Sequence, residues 1–193
     1  TAVAADWTSG AVADWQTFSA TDAGFHPMVV QNQTLFIGDA RLVASVNSSG
    51  TFTASALNMV APTRIKSMAP YDIDLVIGTF IAATVNHSWV ARWDTVQTTW
   101  QFNEPVRENG VNAFLWIGSA LVAQAGRYGN FYIYNGQFLQ PFKRLPGSWS
   151  PTKYGEVYPN AVGSYRGVAV FGFSNGSGNP ADQGVYTMGR YSK

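Results

Sequence analysis

The stretch Leu35-Phe36-Ile37-Gly38 decides the fold, because nearly the same four residues return at a fixed distance. They recur as Leu75-Val76-Ile77-Gly78 and as Leu115-Trp116-Ile117-Gly118, so the glycines of successive copies are 40 residues apart. A weaker copy, Val168-Ala169-Val170-Phe171-Gly172, follows further on. A period near 40 residues built on short β-type runs is typical of β-propellers and related radial arrays. The sequence therefore predicts an all-β propeller built from four-stranded antiparallel blades, about four of them in this chain.

The composition of each copy gives a physical reason for this arrangement. A strand covered on both faces by neighbouring sheets has a continuous apolar run instead of an alternating one. A glycine at the end of such a run permits another part of the chain to approach closely. One blade cannot bury its own two faces, so blades must stack. We therefore expect the Ile-Gly run to open each unit as its innermost strand.

The pattern predicts a single propeller-like domain over residues 1–193. Helical periodicity is almost absent, and the best helix candidate, Thr53–Met59, is short and rich in poor helix formers. Later in each of the first three units an aromatic residue after Thr or Gln marks a further strand, as in Gly50-Thr51-Phe52. The predicted units are 1–28 (partial), 29–68, 69–108, 109–160 and 161–193 (partial).

The two partial units are complementary. Trp15-Gln16-Thr17-Phe18 resembles an outer strand with no opening strand before it, whereas residues 161–193 have inner strands and no outer one. Together they would make one mixed blade that closes a ring of four blades. The alternative is that the chain is a segment of a larger ring, and we favour it because four-bladed closure is the less common solution.

The bulk composition excludes several classes of function. Only 12% of the residues are charged, against about 25% in ordinary globular proteins. The formal net charge is +1 and no basic stripe is present, so we expect no nucleic-acid partner. The chain has no cysteine, which excludes disulfides and thiolate zinc sites. Apolar runs are far shorter than the roughly 20 residues of a membrane span, so we expect no membrane insertion.

Residues that could carry chemistry are few and poorly placed. His26 and His87 have no metal-ligating neighbour at helical or strand spacing, so both are interpreted as turn or packing residues. Asp72 and Asp74 alternate, which would place both carboxylates on one face of a strand. Such a pair could perform acid–base chemistry or hold a hard cation, but a role in a turn is favoured. We expect no catalytic set, no metal and no cofactor.

The segment Lys143–Asn160 is the candidate binding region. It accounts for most of the extra length of the third unit and has Trp149, Tyr154 and Tyr158 among Gly, Pro and Ser. Long loops on rigid β scaffolds often hold binding sites, and such aromatics suit a sugar or a protein partner. The competing interpretation, which we weigh more heavily, is that these aromatics cover the edge of the blade.

Several runs resemble β-propeller repeats in virion proteins of tailed phages and uncultured viruses. They are Phe25-His26-Pro27-Met28-Val29-Val30, Leu35-Phe36-Ile37-Gly38-Asp39, Ala69-Pro70-Tyr71 and Asp74-Leu75-Val76-Ile77-Gly78-Thr79. The likeness covers most of residues 15–190. It implies a propeller on a tail, fibre or capsid decoration, in a virion or extracellular setting, and it brings no catalytic residue. The Ser-x-Asp-x-Gly-x-x-Trp boxes of sialidase-like propellers are absent.

Three functions follow as expectations. The first is a non-catalytic virion module that docks to another virion protein or to a host-surface receptor. The second is a glycan-binding, lectin-like module. The third is a glycan hydrolase, which ranks last because no acid, base or nucleophile set is visible. The oligomeric state is left open.

Overall fold

The computed structural model describes residues 26–81, 87–146, 156–174 and 184–189. These residues form fifteen β-strands and contain no helix, and so none of the described residues forms a helix that could cross a bilayer. The predicted all-β class is confirmed.

The described strands form four antiparallel sheets, numbered here in chain order. Sheet 1 contains β1 (Met28–Gln31), β2 (Thr34–Asp39), β3 (Leu42–Val46) and β4 (Phe52–Asn58). Sheet 2 contains β5 (Thr63–Tyr71), β6 (Asp74–Ile81), β7 (Ser88–Trp93) and β8 (Phe102–Val106). Sheet 3 contains β9 (Val111–Ile117), β10 (Ala120–Ala125), β11 (Asn130–Tyr134) and β12 (Leu139–Arg144). Sheet 4 contains β13 (Glu156–Tyr165), β14 (Val168–Ser174) and β15 (Gly184–Met188).

Each sheet is a meander whose strands pair in sequence order. The first strands of successive sheets contact one another, β1 with β5, β5 with β9 and β9 with β13, and β5 also contacts β13. The first strands therefore lie nearest a common centre and the later strands lie further out. This is the propeller-like arrangement of four-stranded blades that the repeat predicts.

Three apolar layers hold the sheets together. The layer between sheets 1 and 2 includes Val43 and Met68, and the layer between sheets 2 and 3 includes Val90 and Phe114. The third layer, between sheets 3 and 4, includes Phe131. Because every layer draws residues from two consecutive sheets, no single sheet has a core of its own, as expected of a stacked repeat.

The glycine repeat is correct for three copies and wrong for one. Counted from the first residue of the second strand, the fifth residue is Gly38, Gly78 or Gly172 in sheets 1, 2 and 4, and it is Gln124 in sheet 3. Leu115-Trp116-Ile117 instead lies in β9, a first strand, and Gly118 lies in the following turn with φ 60°. The third glycine therefore supplies a left-handed turn conformation and does not end a second strand.

The predicted position of the Ile-Gly run also needs correction. In sheets 1, 2 and 4 the run lies in the second strand, and a separate first strand lies inside it. In sheet 2, the second strand still reads as continuously apolar because sheets 1 and 3 cover its two faces. As a result, positions 68/69 and 160/161, where predicted units meet, fall inside β5 and β13.

Two local signals in the sequence, the helix candidate and the aromatic after Thr or Gln, both correspond to outer strands. Thr53–Met59, the best helix candidate, is almost entirely strand β4, because pairing with β3 overrides a weak local propensity. The aromatic after Thr or Gln marks the start of a fourth strand: Phe52 begins β4, and Phe102 begins β8. Trp15–Phe18, the proposed outer strand of a mixed blade, lies outside the described residues.

Candidate binding cleft on sheet 3

The candidate site is a cleft of about 320 Å³ between the two outer strands of sheet 3. It forms where the pairing of β11 and β12 shifts, so that Tyr132 lies opposite Pro141 and Phe131 lies opposite Lys143, with Phe142 as the extra residue. A bulge of this kind leaves one residue outside the ladder and bends the strand. The cleft is lined by Asn130, Phe131, Tyr132, Pro141, Phe142, Lys143 and Arg144.

A half-buried hydrogen-bond network fixes the polar wall of the cleft. Oε1 of Glu108 accepts hydrogen bonds from Nδ2 of Asn130 (2.8 Å) and from the hydroxyl of Tyr132 (3.0 Å). Partial burial raises the pKa of Tyr132, and the charge and hydrogen bond of Glu108 raise it further. Tyr132 therefore remains a neutral donor, and the orientation of both side chains is set before any ligand arrives.

The position of Glu108 depends on a glycine. At Gly126, which has φ +69°, an added Cβ would collide with the Glu108 carboxylate. The close approach of Glu108 to this backbone is thus possible only because residue 126 has no side chain.

The opposite wall carries positive charge and apolar surface. Arg144 lies opposite Asn130 in the ladder, and its Nε donates a hydrogen bond to the carbonyl of Tyr128 (3.1 Å). Paired residues of an antiparallel ladder share one face of the sheet, so Arg144 and Asn130 are on the same side. Lys143 is exposed, and Phe142 keeps 37% of its surface exposed. The face that carries Asn130 therefore offers an amide, a phenol and a guanidinium, with Phe142 among the residues that line the cleft, whereas Lys143 pairs with Phe131 on the other face.

The cleft adjoins the segment that the sequence singles out. Lys143 and Arg144 begin the stretch Lys143–Asn160 and line the cleft. Trp149 and Tyr154 lie outside the described residues. Tyr158 lies in β13, but the structure does not describe its side chain. Their predicted binding role stays a prediction. The sequence analysis missed Glu108, Asn130 and Tyr132 because Glu108, before β9, meets the two β11 residues only once the sheet has formed.

A second polar cluster joins sheets 2 and 3. Asp74 begins β6, is buried, and forms an ion pair with Arg92. Nη1 of Arg92 donates to the carbonyl of Gly136 (3.3 Å) in sheet 3, and its guanidinium lies 5.8 Å from the centre of the Tyr71 ring. Tyr71 in turn stacks on Trp116 of sheet 3 with an interplanar angle of 13°. These contacts make the cluster a junction between blades.

This geometry corrects the hypothesis that Asp72 and Asp74 share a strand face. Asp72 is exposed and lies in the two-residue turn between β5 and β6 with φ 56°. Asp74, in contrast, is buried and forms an ion pair. The preferred interpretation, a turn residue, holds for Asp72.

His26 is close to polar groups of β2. Its Nδ1 lies 3.0 Å from the carbonyl oxygen of Gly38 and 3.7 Å from the carboxylate of Asp39. Among the described residues, no group of three His, Asp or Glu side chains could hold a metal ion.

A buried amide pair joins sheets 3 and 4. Gln124 is fully buried, and its Oε1 accepts hydrogen bonds from Nδ2 of Asn112 (2.8 Å) and from the backbone N–H of Val157 (3.1 Å). Gln124 occupies the position that is glycine in sheets 1 and 2. The side chain of Gln124 reaches across to the next sheet, whereas each glycine allows the next sheet to pack closer. The arrangement is structural.

Comparison with known proteins supports the fold and is silent on activity. No protein-family model matches the chain, and no curated protein matches it. Among solved structures, the computationally designed Ika4 protein is similar over 89% of this chain and 94% of its own, with a TM-score of 0.52 and 12% sequence identity. At that identity the likeness extends to the fold alone.

Proposed function

We propose that the protein is a non-catalytic interaction module, in which a propeller-like scaffold presents the sheet 3 cleft to a neighbouring protein or to a host surface. The observation that carries the proposal is the preset polar wall of the cleft, where Glu108 holds Asn130 and Tyr132 in place. Preorganised side chains lower the entropy lost on binding. The size of the cleft, about 320 Å³, lies at the lower end of the range for ligand sites.

The virion setting of this proposal rests on the resemblance of the sequence to propeller repeats of viral virion proteins. In that setting the module would lie on a tail, a fibre or a capsid and would contact another virion protein or a receptor. The low charged content and the many polar, uncharged residues suit an exposed surface that makes specific contacts.

A specific observation also favours a second candidate, glycan binding. The exposed part of Phe142 lies beside an amide, a phenol and a guanidinium. A sugar ring can stack on an aromatic face while its hydroxyls bond to such groups, and aromatic side chains lose little conformational freedom on binding. Trp149, Tyr154 and Tyr158, the aromatics that the sequence predicts as binding residues, belong to the same candidate function.

A glycan array with matched variants tests these alternatives. If the cleft binds sugars, the wild-type protein binds selectively, and Phe142→Ala and Arg144→Ala each weaken binding by about tenfold, which corresponds to about 1.4 kcal/mol. Arg107→Ala is the control, because Arg107 is an exposed arginine outside the cleft lining. Trp149→Ala tests the neighbouring segment separately.

Other results separate the remaining functions. A wild-type protein that binds no glycan leaves the protein-docking role, which the same Phe142 and Arg144 variants test against a candidate partner. Hydrolysis of a polysaccharide, lost on replacement of one carboxylate, would contradict a non-catalytic module and support the hydrolase alternative.

A further inference from the structure

The hydrogen bond between Tyr132 and Glu108 fixes what the phenol can offer a ligand. The hydroxyl of Tyr132 donates its hydrogen to Oε1 of Glu108 at 3.0 Å. A phenol has one hydrogen to donate, so Tyr132, which lines the cleft, can only accept a hydrogen bond from a ligand. An ionised carboxylate or sulfate has no hydrogen to donate, whereas a sugar hydroxyl has one.

Arg144, on the same face of the sheet as Asn130, has the opposite role. Its side chain is exposed, and its Nε donates to the carbonyl of Tyr128. Within the part of the chain that the structure describes, no other hydrogen bond or ion pair uses its guanidinium, so Nη1 and Nη2 are left for a ligand. A guanidinium donates and never accepts. A ligand that contacts both Arg144 and Tyr132 must therefore present an acceptor to one and a donor to the other, and hydroxyl groups can do both.

Asn130 also suits a hydroxyl. Its Nδ2 donates to Oε1 of Glu108 at 2.8 Å, which sets the orientation of the amide. The carbonyl oxygen and the second amide hydrogen are left for a ligand, as one acceptor and one donor. The polar wall therefore offers a mixture of donors and acceptors, and two of its groups present an acceptor.

Glu108 also adds a negative charge behind this wall. A ligand atom that donates to the hydroxyl of Tyr132 would lie about 5 Å from Oε1 of Glu108, since two hydrogen bonds of ordinary length join them. At that distance Glu108 repels an anion and offsets the attraction of Arg144. Lys143, the other cation of the cleft lining, pairs with Phe131 on the opposite face. The face that carries Asn130 thus has one cation and one anion.

We propose that the cleft selects neutral, hydroxyl-bearing sugars over acidic ones, and that Glu108 is the residue that sets this preference. The inference rests on the glycan-binding candidate of the proposed function and names its ligand class. A neutral hexose would stack on the exposed part of Phe142 while its hydroxyls donate to Tyr132 and accept from Arg144. An ionised group in the same place would gain Arg144 but would face the charge of Glu108 and the lone pairs of Tyr132.

Matched pairs of glycans on an array and in calorimetric titration test the preference. Each pair consists of a neutral oligosaccharide and its uronic acid or sulfated counterpart, so the two members differ only in the ionised group. We expect the wild-type protein to bind the neutral member at least about tenfold more tightly, because a like charge close to the ligand is strongly unfavourable. Phe142→Ala should weaken the binding of the neutral member, which shows that the cleft is the site.

Glu108→Gln tests the residue assigned to the preference. Asn130 and Tyr132 both donate to the same oxygen, Oε1, so the amide oxygen of glutamine can keep both hydrogen bonds while the charge is removed. We expect the affinity for the neutral member to change by less than about twofold and that for the acidic member to rise by about tenfold. Asp72→Asn is the control for net charge, because Asp72 is exposed and lies outside the cleft lining.

The outcomes separate this inference from the function on which it rests. Acidic glycans that bind as tightly as their neutral counterparts, with binding lost in Phe142→Ala, overturn the neutral preference and leave a glycan-binding cleft. Equal effects of Glu108→Gln and Asp72→Asn overturn the role of Glu108. A wild-type protein that binds no glycan overturns the inference together with the glycan-binding candidate and leaves the protein-docking role. The wild-type comparison needs no variant, so it decides the preference even if Glu108→Gln fails to fold.

Discussion

At the scale of single residues, the fit between sheets depends on the fifth position of each second strand. Glycine there lets the first strand of the next sheet approach, as at Gly78, where an added Cβ would lie 2.8 Å from Cγ1 of Val111 in sheet 3 and would also collide with Ser67 Oγ of its own sheet. In sheet 3 the same position has Gln124, which bonds to the backbone of the next sheet instead. One structural position is thus filled in two chemically different ways.

Replacement of these glycines should separate packing from backbone effects. Gly78→Ala forces a methyl group into a closed junction, so we expect the free energy of unfolding to fall by about 1–3 kcal/mol. Gly172→Ala is the matched control, because its methyl group would have only an ordinary contact with Ala161, and we expect almost no change. Urea unfolding measures both, and equal effects at the two sites would contradict the role assigned to the junction.

A buried tyrosine predicts how stability depends on pH. Burial raises the pKa of Tyr134 to about 12, although the positive charge of Arg92 opposes the rise. An unfolded chain loses this proton near the ordinary tyrosine value of about 10. The folded protein therefore holds a proton that the unfolded chain releases, so this stability is full below about pH 10 and is lost as the pH rises toward 12.

Tyr134→Phe removes that titration. We expect the variant to lose less stability than the wild-type protein between about pH 9 and pH 11 in urea unfolding. Tyr165→Phe, at a residue 66% exposed, is the control and should follow the wild-type curve. An unchanged slope in Tyr134→Phe would show that this residue does not contribute to the pH dependence.

At the scale of strands and turns, the hairpins that join the first and second strands of each sheet have the same length but different turn residues. Each joins its first and second strands through two residues, and in sheets 1 and 4 both have positive φ: Asn32 and Gln33 (48° and 61°), Arg166 and Gly167 (50° and 76°). Such turns match the twist of a hairpin and favour Asn-Gly. Sheet 1 therefore has the preferred first residue and an unfavourable second one.

Gln33→Gly should stabilise the protein. The left-handed conformation is unfavourable for a residue with a Cβ by roughly 1–2 kcal/mol, part of which is offset by the greater freedom of glycine in the unfolded chain. We expect a net gain of about 0.5–1 kcal/mol in unfolding free energy. Gly167→Ala is the reverse change in sheet 4 and should be destabilising. A loss of stability in Gln33→Gly would mean that the side chain makes a contact that outweighs the backbone strain.

The strand signals in the sequence could predict most of the elements and their class, but not the order of strands in sheet 3. The four copies of the apolar run marked β2, β6, β9 and β14. Leu115-Trp116-Ile117-Gly118 matched the repeat by letter, and Gln124 removed the glycine that would have marked β10. Whether a strand is the first or the second of its sheet depends on the strands that it pairs with. The residue pattern within one strand does not reveal those neighbours.

The cleft shows a similar limit for the site. The sequence indicated the segment that begins at Lys143, because its length and aromatic content are local properties. The polar wall combines Glu108, before β9, with Asn130 and Tyr132 of β11. Residues this far apart meet only after the sheet has formed, so no spacing in the sequence could predict the wall.

At the scale of the whole molecule, the described part of the chain is a series of four sheets in which each sheet packs face to face against the next. Three such junctions lie within the described residues. The predicted mixed blade, in which Trp15–Phe18 would add an outer strand to the last unit, takes this stacking order as its premise.

Cross-strand and inter-sheet proton contacts measured by NMR test that order most directly at sheet 3. The stacked propeller predicts contacts from Gln124 to Phe131 across the ladder and to Val157 in the next sheet. A literal 40-residue repeat would instead place Gly118 opposite the strand that contains Phe131. Observation of Gly118 in that position, with Gln124 remote from Val157, would contradict the account.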